Sequence, residues 1–208
     1  HVLFHAKLTY GDFYIEKDGF LIKVLNPEQI NALSETHHHE EKKQSKIKFK
    51  SFNTNPLKNK NLVSGHVFKL KFIGAKLSKD FKSNSSLRHK INYYLGNNPN
   101  NWASNLIPHT DLTIKSIYIG IDLRIYFKEN SIKYDFIVHP KTDPNIISLK
   151  YENVNTQVSD NVVTINTSEG IITDDLPYSY FKSSPNKQIK TRFKRKGEIV
   201  KLEVSLKN

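Results

Sequence analysis

The sequence predicts an all-β, antiparallel, β-sandwich-like fold with one short helix, and two observations carry this prediction. Apolar residues alternate with polar ones along many short segments, as a strand with one buried face requires. Turn-forming residues separate these segments at short intervals, which is typical of antiparallel sheets. The 208 residues are 37% hydrophobic and 11% aromatic, enough for a folded core. A single sandwich and two closely packed β subdomains both fit this length.

The first third of the chain is predicted to contain strands and the one helix. Strands are expected at residues 2–8, 12–17, 20–25 and 67–73. Residues 27–34 are predicted to be helical, because Asn26 is a favourable N-cap and Pro27 suits the first helical position. Residues 35–65 are rich in Lys, His and Asn and poor in apolar residues, which is typical of a long solvated loop. We therefore assign residues 1–77 to an N-terminal β region that carries this loop.

The rest of the chain is predicted to form hairpins. The clearest one covers residues 121–138, where Ile121, Leu123, Ile125 and Phe127 alternate with Asp122, Arg124, Tyr126 and Lys128. Pro140 ends it, because proline cannot donate to a strand ladder. Further strands are expected at 147–151, 162–167 and 178–181, and a last hairpin joins 189–195 to 199–206 around Gly197. Residues 91–208 are assigned to a C-terminal antiparallel β region, and the polar residues 78–90 to a connector.

Charge and composition narrow the classes of function. The formal net charge is +12, but the lysines are scattered along the chain and outnumber the arginines that are favoured for reading bases, so nucleic-acid binding is disfavoured. The absence of Cys excludes disulfides and thiolate chemistry. No apolar run reaches the length of about 18 residues that a transmembrane helix needs. The chain starts at His1 and contains no Met, which predicts a fragment of a longer polypeptide.

Two groups of residues are candidates for catalysis or metal binding. The densest potential metal ligands are His37, His38, His39, Glu40 and Glu41. Consecutive residues cannot all converge on one ion, so a solvated loop is favoured and no metal or cofactor is predicted. Asp174 and Asp175 would face opposite sides of a strand and could not act as an acid/base pair. The sequence also has no phosphate loop or nucleophile elbow. It therefore predicts no catalytic residue and a protein that is not an enzyme.

An aromatic segment is the first candidate for binding. Tyr93, Tyr94 and Trp102 flank the sequence from Gly96 to Pro99, and this mixture of aromatic and amide side chains is suited to stacking on a sugar. The other interpretation, which the sequence favours, is a loop pinned to the core by its aromatic residues.

A basic segment is the second candidate. Alternation places Lys190, Arg192, Lys194 and Lys196 on one face of a strand, with Lys201 across the hairpin. This arrangement predicts either a surface for anionic polymers or, as we favour, an edge strand that its lysines protect from pairing with other chains.

Several motifs resemble a known family. They include NYYLGNNPNNW from Asn92 and SIYIGIDLRIYFKENSIKYDFIVHPKTDPNIISLKYENV from Ser116. Val2, Phe4 and Ala6 match the family's opening strand, and Pro177, Tyr178 and Tyr180 match a late element. The chain resembles the uncharacterised N-terminal domain of large exported bacterial proteins. That domain precedes SBBP-type β-propeller repeats or belongs to proteins with gliding-motility-associated or type 9 secretion C-terminal domains. The family has no established active residue.

The resemblance implies export by type 9 secretion to the bacterial cell surface or beyond. It also implies partners among other surface or secretion-system proteins, or other regions of the same longer polypeptide. We therefore expect a non-catalytic module that contributes to adhesion, gliding-associated surface assembly or structural spacing. One alternative is a glycan-binding or glycan-processing domain that uses Tyr94, Asn97 and Trp102. The other is binding of an anionic polymer or nucleic acid through the basic hairpin.

Within the motif that begins at Ser116, three residues are expected to have structural roles. Gly120 should permit a kink or bulge at the entry to the long hairpin. Asp122 and Asp135 are expected on its polar face, within reach of Arg124 and Lys133.

Overall fold

A computed structural model describes residues 2–35, 62–94, 96–128 and 131–206. Helix α1 spans Pro27–Glu35. The strands are β1 (Phe4–Leu8), β2 (Gly11–Glu16), β3 (Gly19–Leu25), β4 (Gly65–Phe72), β5 (Phe81–Ser86), β6 (Ile91–Tyr93), β7 (Ala103–Leu106), β8 (His109–Tyr118), β9 (Ile121–Lys128), β10 (Ser131–Val138), β11 (Ser148–Glu152), β12 (Asn155–Val158), β13 (Val162–Thr167), β14 (Gly170–Asp175), β15 (Tyr180–Phe181), β16 (Ser184–Gln188), β17 (Thr191–Lys196) and β18 (Ile199–Val204). The predicted all-β antiparallel fold with one short helix is confirmed.

The largest sheet has seven strands in the order β1-β2-β3-β4-β11-β18-β17. Every neighbouring pair in it is antiparallel. Ile15 lies opposite Phe20, Phe20 opposite Leu70, and Leu70 opposite Tyr151. These four side chains are buried, because directly paired residues share one face of a sheet. The alternation in the sequence therefore becomes one continuous apolar face.

The chain folds as two units, and the second is inserted into the first. The discontinuous unit comprises residues 1–75 and 144–208, and the inserted unit comprises residues 76–143. The chain leaves the discontinuous unit after β4 and returns in β11, and these strands are neighbours with Leu149 opposite Phe72. The Ile73 amide also donates to the Ser148 carbonyl at 2.8 Å. The insertion thus begins and ends at adjacent positions of one sheet, which differs from the predicted division into 1–77, 78–90 and 91–208.

Helix α1 begins as predicted. The Asn26 side-chain oxygen accepts a hydrogen bond from the Gln29 amide at 3.0 Å, the N-cap arrangement that satisfies an otherwise unpaired helical donor. The Asn26 side chain also donates to the Glu169 carboxylate at 3.0 Å, and the Ser64 hydroxyl donates to the same oxygen at 3.0 Å. Glu169 lies in the turn between β13 and β14, so the start of α1 is fixed to that hairpin.

Smaller sheets complete the discontinuous unit. Strands β12, β13 and β14 form a three-stranded sheet, and β15 pairs with β16 as a two-stranded ribbon. Val163 and Ile165 in β13 are buried. All residues of β16 and both of β15 are exposed, so this ribbon contributes no side chain to the core.

The inserted unit has its own sheet of four strands in the order β10-β9-β8-β5. Its core includes Leu112 and Ile114 of β8 and Ile121, Leu123 and Ile125 of β9. Residues 81–86 lie within the predicted polar connector, yet they form β5 and pair with β8. Strands β6 and β7 form a separate two-stranded hairpin.

Candidate functional site

The hairpin of β6 and β7 carries the first candidate, and we call residues 91–106 the aromatic hairpin. Ile91 pairs with Leu106, and Tyr93 pairs with Ala103. Side-chain amides hold the hairpin together where backbone pairing is sparse. The Asn92 side-chain oxygen accepts the Asn105 amide at 2.8 Å, and Asn98 caps the short helical turn at Pro99–Asn101 by accepting the Asn100 amide at 3.0 Å. The amide-rich sequence therefore has a structural function here.

Two aromatic side chains of this hairpin face solvent. Tyr94 is 60% exposed and Trp102 is 43% exposed, whereas Tyr93 is half-buried. The rings of Tyr94 and Trp102 meet edge to face with centroids 5.4 Å apart and planes at 79°. The Trp102 indole donates its N–H to the Gly96 carbonyl at 3.1 Å. That hydrogen bond fixes the ring's orientation without burying it.

The sequence on either side of this pair is neutral or basic. No Asp or Glu occurs between Asp80 and Asp111 in the sequence. Leu106 and Ile107 add exposed apolar surface beside the aromatic pair in the chain. Exposed rings next to side-chain amides can stack on a ligand and exchange hydrogen bonds with it. The hairpin contains no carboxyl group that could serve as a general acid or base.

Asp122 is the centre of a polar cluster in the inserted unit. Its side chain is 2% exposed and accepts hydrogen bonds from Lys115 Nζ at 2.6 Å and the Ser116 amide at 2.8 Å, and it lies 3.1 Å from His139 Nε2. Burial opposes ionisation of this carboxyl, but these hydrogen bonds outweigh that effect and lower its pKa. The expected pairing of Asp122 with Arg124 is wrong. The Asp122 carboxylate instead accepts the backbone amide of Ser116, in the part of β8 where its pairing with β9 is irregular.

Arg124 pairs with a different carboxylate. Its guanidinium donates to Asp111 Oδ2 through Nε at 2.8 Å and through Nη2 at 2.5 Å, and it stacks 4.6 Å from the centre of the Tyr126 ring. Asp135 accepts from the Tyr126 hydroxyl at 3.5 Å in place of the expected contact with Lys133. Burial raises the pKa of Asp135, against the opposing effect of Arg124. The Arg124 guanidinium is therefore held by Asp111 and the Tyr126 ring.

Asp174 and Asp175 occupy the end of β14 and differ in exposure, as the strand alternation predicts. Asp174 is half-buried and accepts the Tyr151 hydroxyl at 2.5 Å, whereas Asp175 is exposed. Burial and the neighbouring Asp174 carboxylate raise the pKa of Tyr151 well above its ordinary value. The two carboxyl groups therefore do not converge on a common ligand.

The basic hairpin lies at a sheet edge. Strand β17 is the last strand of the seven-stranded sheet, where lysines hinder pairing with another chain. Arg192 Nη2 lies 2.7 Å from Glu203 and Lys194 Nζ lies 3.2 Å from it, so one carboxylate partly neutralises the basic face. The Arg195 guanidinium donates to the Thr156 carbonyl at 2.7 Å. Two members of the basic face, Arg192 and Lys194, are therefore paired within the protein.

Potential metal ligands are dispersed. In the ranges that the structure describes, no group of three or more His, Asp or Glu side chains is placed to hold a metal ion. The candidate ligands named from the sequence lie outside those ranges; they are His37, His38, His39, Glu40 and Glu41.

The helix within the described residues is not long and apolar enough to cross a membrane.

Comparison with known proteins gives one match. The family model described as a domain of unknown function, DUF7948, matches residues 1–208. The chain belongs to the DUF7948 family. No curated protein and no solved structure matches it.

In this DUF7948 member, Gly120 and Thr142 of the motif that begins at Ser116 pack closely together. Gly120 lies in the two-residue turn between β8 and β9, with φ at +75°. A Cβ at this position would lie 2.1 Å from the Thr142 hydroxyl oxygen, so any other residue would have to displace Thr142 and adopt a strained backbone. The bulge that was expected at Gly120 lies instead within β8, where pairing with β9 shifts between Ile114 and Tyr118. Sequence reasoning missed this bulge, because Ser116 gives no local signal for its φ of +51°.

Proposed function

We propose that this DUF7948 domain is a non-catalytic module of an exported cell-surface protein and that it contributes to adhesion through the aromatic hairpin. The resemblance to domains of proteins with type 9 secretion or gliding-motility-associated C-terminal domains supports the surface location. The exposed pair of Tyr94 and Trp102 carries the binding part of the proposal. An oriented and exposed tryptophan is suited to contact with a ligand, which favours an adhesive module over a surface spacer.

A neutral glycan is the ligand whose chemistry fits this hairpin. The apolar faces of sugar rings stack on aromatic side chains, and sugar hydroxyls pair with amides such as that of Asn97. Asn97 is exposed and lies between Tyr94 and Trp102 in the chain. The hairpin's lack of carboxyl groups favours binding over glycosidic cleavage, which uses a pair of carboxyl groups.

Binding is tested with a glycan array followed by titration calorimetry on the best neutral ligand. We expect Trp102→Ala to weaken binding at least tenfold, about 1.4 kcal/mol. Trp102→Phe should retain part of the affinity, because the ring remains but the hydrogen bond to the Gly96 carbonyl is lost. Phe127→Ala is the matched control, since Phe127 is an exposed aromatic residue of the same unit. Unchanged affinity in Trp102→Ala, with an unchanged circular dichroism spectrum, would exclude this hairpin as the binding site.

Surface location is tested separately in cells of the source organism. Antibodies to the chain should label intact cells, and deletion of a type 9 secretion component should remove that label. Labelling only after permeabilisation would contradict the export proposal without bearing on the glycan experiment.

A further inference from the structure

The ribbon of β15 and β16, with the residues that flank it, forms a second exposed surface in the discontinuous unit. Tyr178 is 56% exposed and Tyr180 is 51% exposed, and their ring centroids lie 5.7 Å apart with planes at 40°. Phe181 at the tip of the ribbon is half exposed. No core packing explains why three aromatic residues lie so close together in the chain. We call residues 177–190 the tyrosine ribbon.

Strand pairing places a polar and a cationic side chain beside the two tyrosines. Tyr180 lies directly opposite Gln188. The Ile189 amide donates to the Ser179 carbonyl at 2.7 Å, so the same ladder continues past β16. Continuing that register puts Lys190 opposite Tyr178, and directly opposed residues share a face. One face of the tyrosine ribbon thus combines two phenol rings, an amide and an ammonium group.

The charged side chains of the tyrosine ribbon itself are all basic. Residues 176–197 contain no Asp or Glu. Lys182, Lys187 and Lys190 have no acidic partner in the part of the chain that the structure describes, in contrast to Arg192 and Lys194, which pair with Glu203. Unpaired lysines beside exposed rings attract an anionic ligand and leave the rings free to stack.

Both ends of the tyrosine ribbon are anchored. The Leu176 amide donates to the Asn161 carbonyl at 2.9 Å, and the Ser205 amide donates to the Lys190 carbonyl at 2.9 Å. The first contact ties the ribbon to the turn between β12 and β13, and the second ties it to the end of β18. An anchored surface loses less conformational entropy on binding than a free loop does.

We propose that the tyrosine ribbon binds an acidic polysaccharide, with Tyr178 and Tyr180 stacking on sugar rings and Lys190 pairing with a carboxylate on the same face. Lys187 adds positive charge from the opposite face, because successive residues of a strand alternate sides. This inference goes beyond the neutral-glycan function of the aromatic hairpin, which lies in the other unit and lacks this cluster of lysines. A polysaccharide is favoured over nucleic acid because the unpaired cations here are all lysines. Arginine is better suited to bidentate recognition of phosphates and bases.

The test uses alginate, a polyuronate, with dextran as the neutral polymer and oligo-dT as the competing polyanion. Affinity electrophoresis of the full chain should show retardation by alginate and none by dextran. Tyr178→Ala/Tyr180→Ala should weaken alginate binding at least tenfold. Lys187→Gln/Lys190→Gln should weaken it and also reduce its dependence on salt concentration.

Lys7→Gln/Lys17→Gln is the matched control, because both side chains are exposed and this pair removes the same charge from the same unit. Lys7 lies in β1, at the opposite edge of the seven-stranded sheet from β17. Equal loss of binding in this control would overturn the proposal in favour of a non-specific effect of net charge. Unchanged binding in the tyrosine variant, or tighter binding of oligo-dT than of alginate, would also overturn it. Each variant should keep the circular dichroism spectrum and the neutral-glycan affinity of the wild type, which separates this test from that of the aromatic hairpin.

Discussion

The buried carboxylate of Asp122 accepts the backbone amide of Ser116 at 2.8 Å, and Ser116 is the residue at which β8 departs from regular strand geometry, with φ at +51°. An extra residue in a strand leaves an amide without its ladder partner. The Asp122 side chain supplies the missing acceptor. The ion pair with Lys115 then compensates for burying the charge.

Removal of this acceptor should destabilise the inserted unit. We expect Asp122→Ala to lower the free energy of unfolding by about 1.5–3 kcal/mol, the range for a lost hydrogen bond to a charged group. Asp122→Asn should cost less, because its amide oxygen can still accept from Ser116. Urea unfolding followed by the fluorescence of Trp102, the chain's one tryptophan, measures the effect in this unit. The exposed Asp175→Ala serves as the control and should change the stability little.

Two carboxyl groups of the inserted unit should give pH effects of opposite sign. The folded state lowers the pKa of Asp122, so its stabilising effect is present above the unfolded pKa of about 3.9 and is lost as pH falls through the folded pKa. Burial raises the pKa of Asp135, so its stabilising effect is present at low pH and is lost as pH rises through the folded pKa. Urea midpoints measured from pH 3 to pH 7 should therefore vary less with pH in Asp122→Asn. They should rise more steeply with pH in Asp135→Asn. The reverse pattern would contradict both assignments.

Replacing Gly120 and Gly74 by alanine separates the cost of a steric clash from the cost of left-handed backbone. Both have positive φ, +75° and +80°, but a Cβ at Gly120 would meet the Thr142 hydroxyl oxygen, whereas a Cβ at Gly74 would meet nothing within 4 Å. Gly74→Ala should cost about 1–2 kcal/mol for left-handed backbone alone. Gly120→Ala should cost about 1–3 kcal/mol more from overpacking. Thermal unfolding of the two variants, with Gly120→Ala/Thr142→Ala as a partial rescue, checks this. Equal losses in both glycine variants would show that Thr142 moves aside freely.

Strand alternation was sufficient to predict the strands of the seven-stranded sheet and the hairpin of β9 and β10, but not strand β8 of the inserted unit. Ile15, Phe20 and Leu70 alternate with polar neighbours, and each is buried in a regular strand. In β8 the alternation is lost after Ile114, because the bulge at Ser116 brings the consecutive residues Ile117 and Tyr118 into the core. A pattern search with period two cannot recognise that strand.

Strand β5 was missed for a different reason. Its sequence, Phe81 to Ser86, is mostly Ser, Asn and Lys, and its pairing depends on contacts made after folding. The Ser83 hydroxyl donates to the Asp111 carbonyl at 2.6 Å, and the Thr110 hydroxyl donates to Ser85 at 2.7 Å. Tertiary pairing here overrides a weak strand propensity. The insertion of residues 76–143 was also not predictable from the sequence, because nothing local indicates that Leu149 pairs with Phe72.

The candidate binding residues were predicted in part. Tyr94 and Trp102 were identified from their composition, but the choice between a pinned loop and an exposed surface needed the orientation of the indole. Tyr178 and Tyr180 were assigned only to a strand. Their binding potential depends on the exposure of β15 and on the position of Gln188 across the ribbon, and neither can be read from a local pattern.

Tyr151, in the discontinuous unit, should resist ionisation. Burial first and the Asp174 carboxylate second raise its pKa, so its stabilising effect is present below the unfolded pKa of about 10 and is lost as pH rises through the folded pKa. Ultraviolet absorbance titration should therefore give Tyr151→Phe the same phenolate signal as the wild type until alkaline unfolding begins. Tyr151→Phe should also lower the free energy of unfolding by about 1.5–3 kcal/mol, because Asp174 loses its donor. Tyr180→Phe, at an exposed position, should leave the stability unchanged. Early ionisation of Tyr151 would show that its hydroxyl is open to solvent and that β11 and β14 are not joined through it.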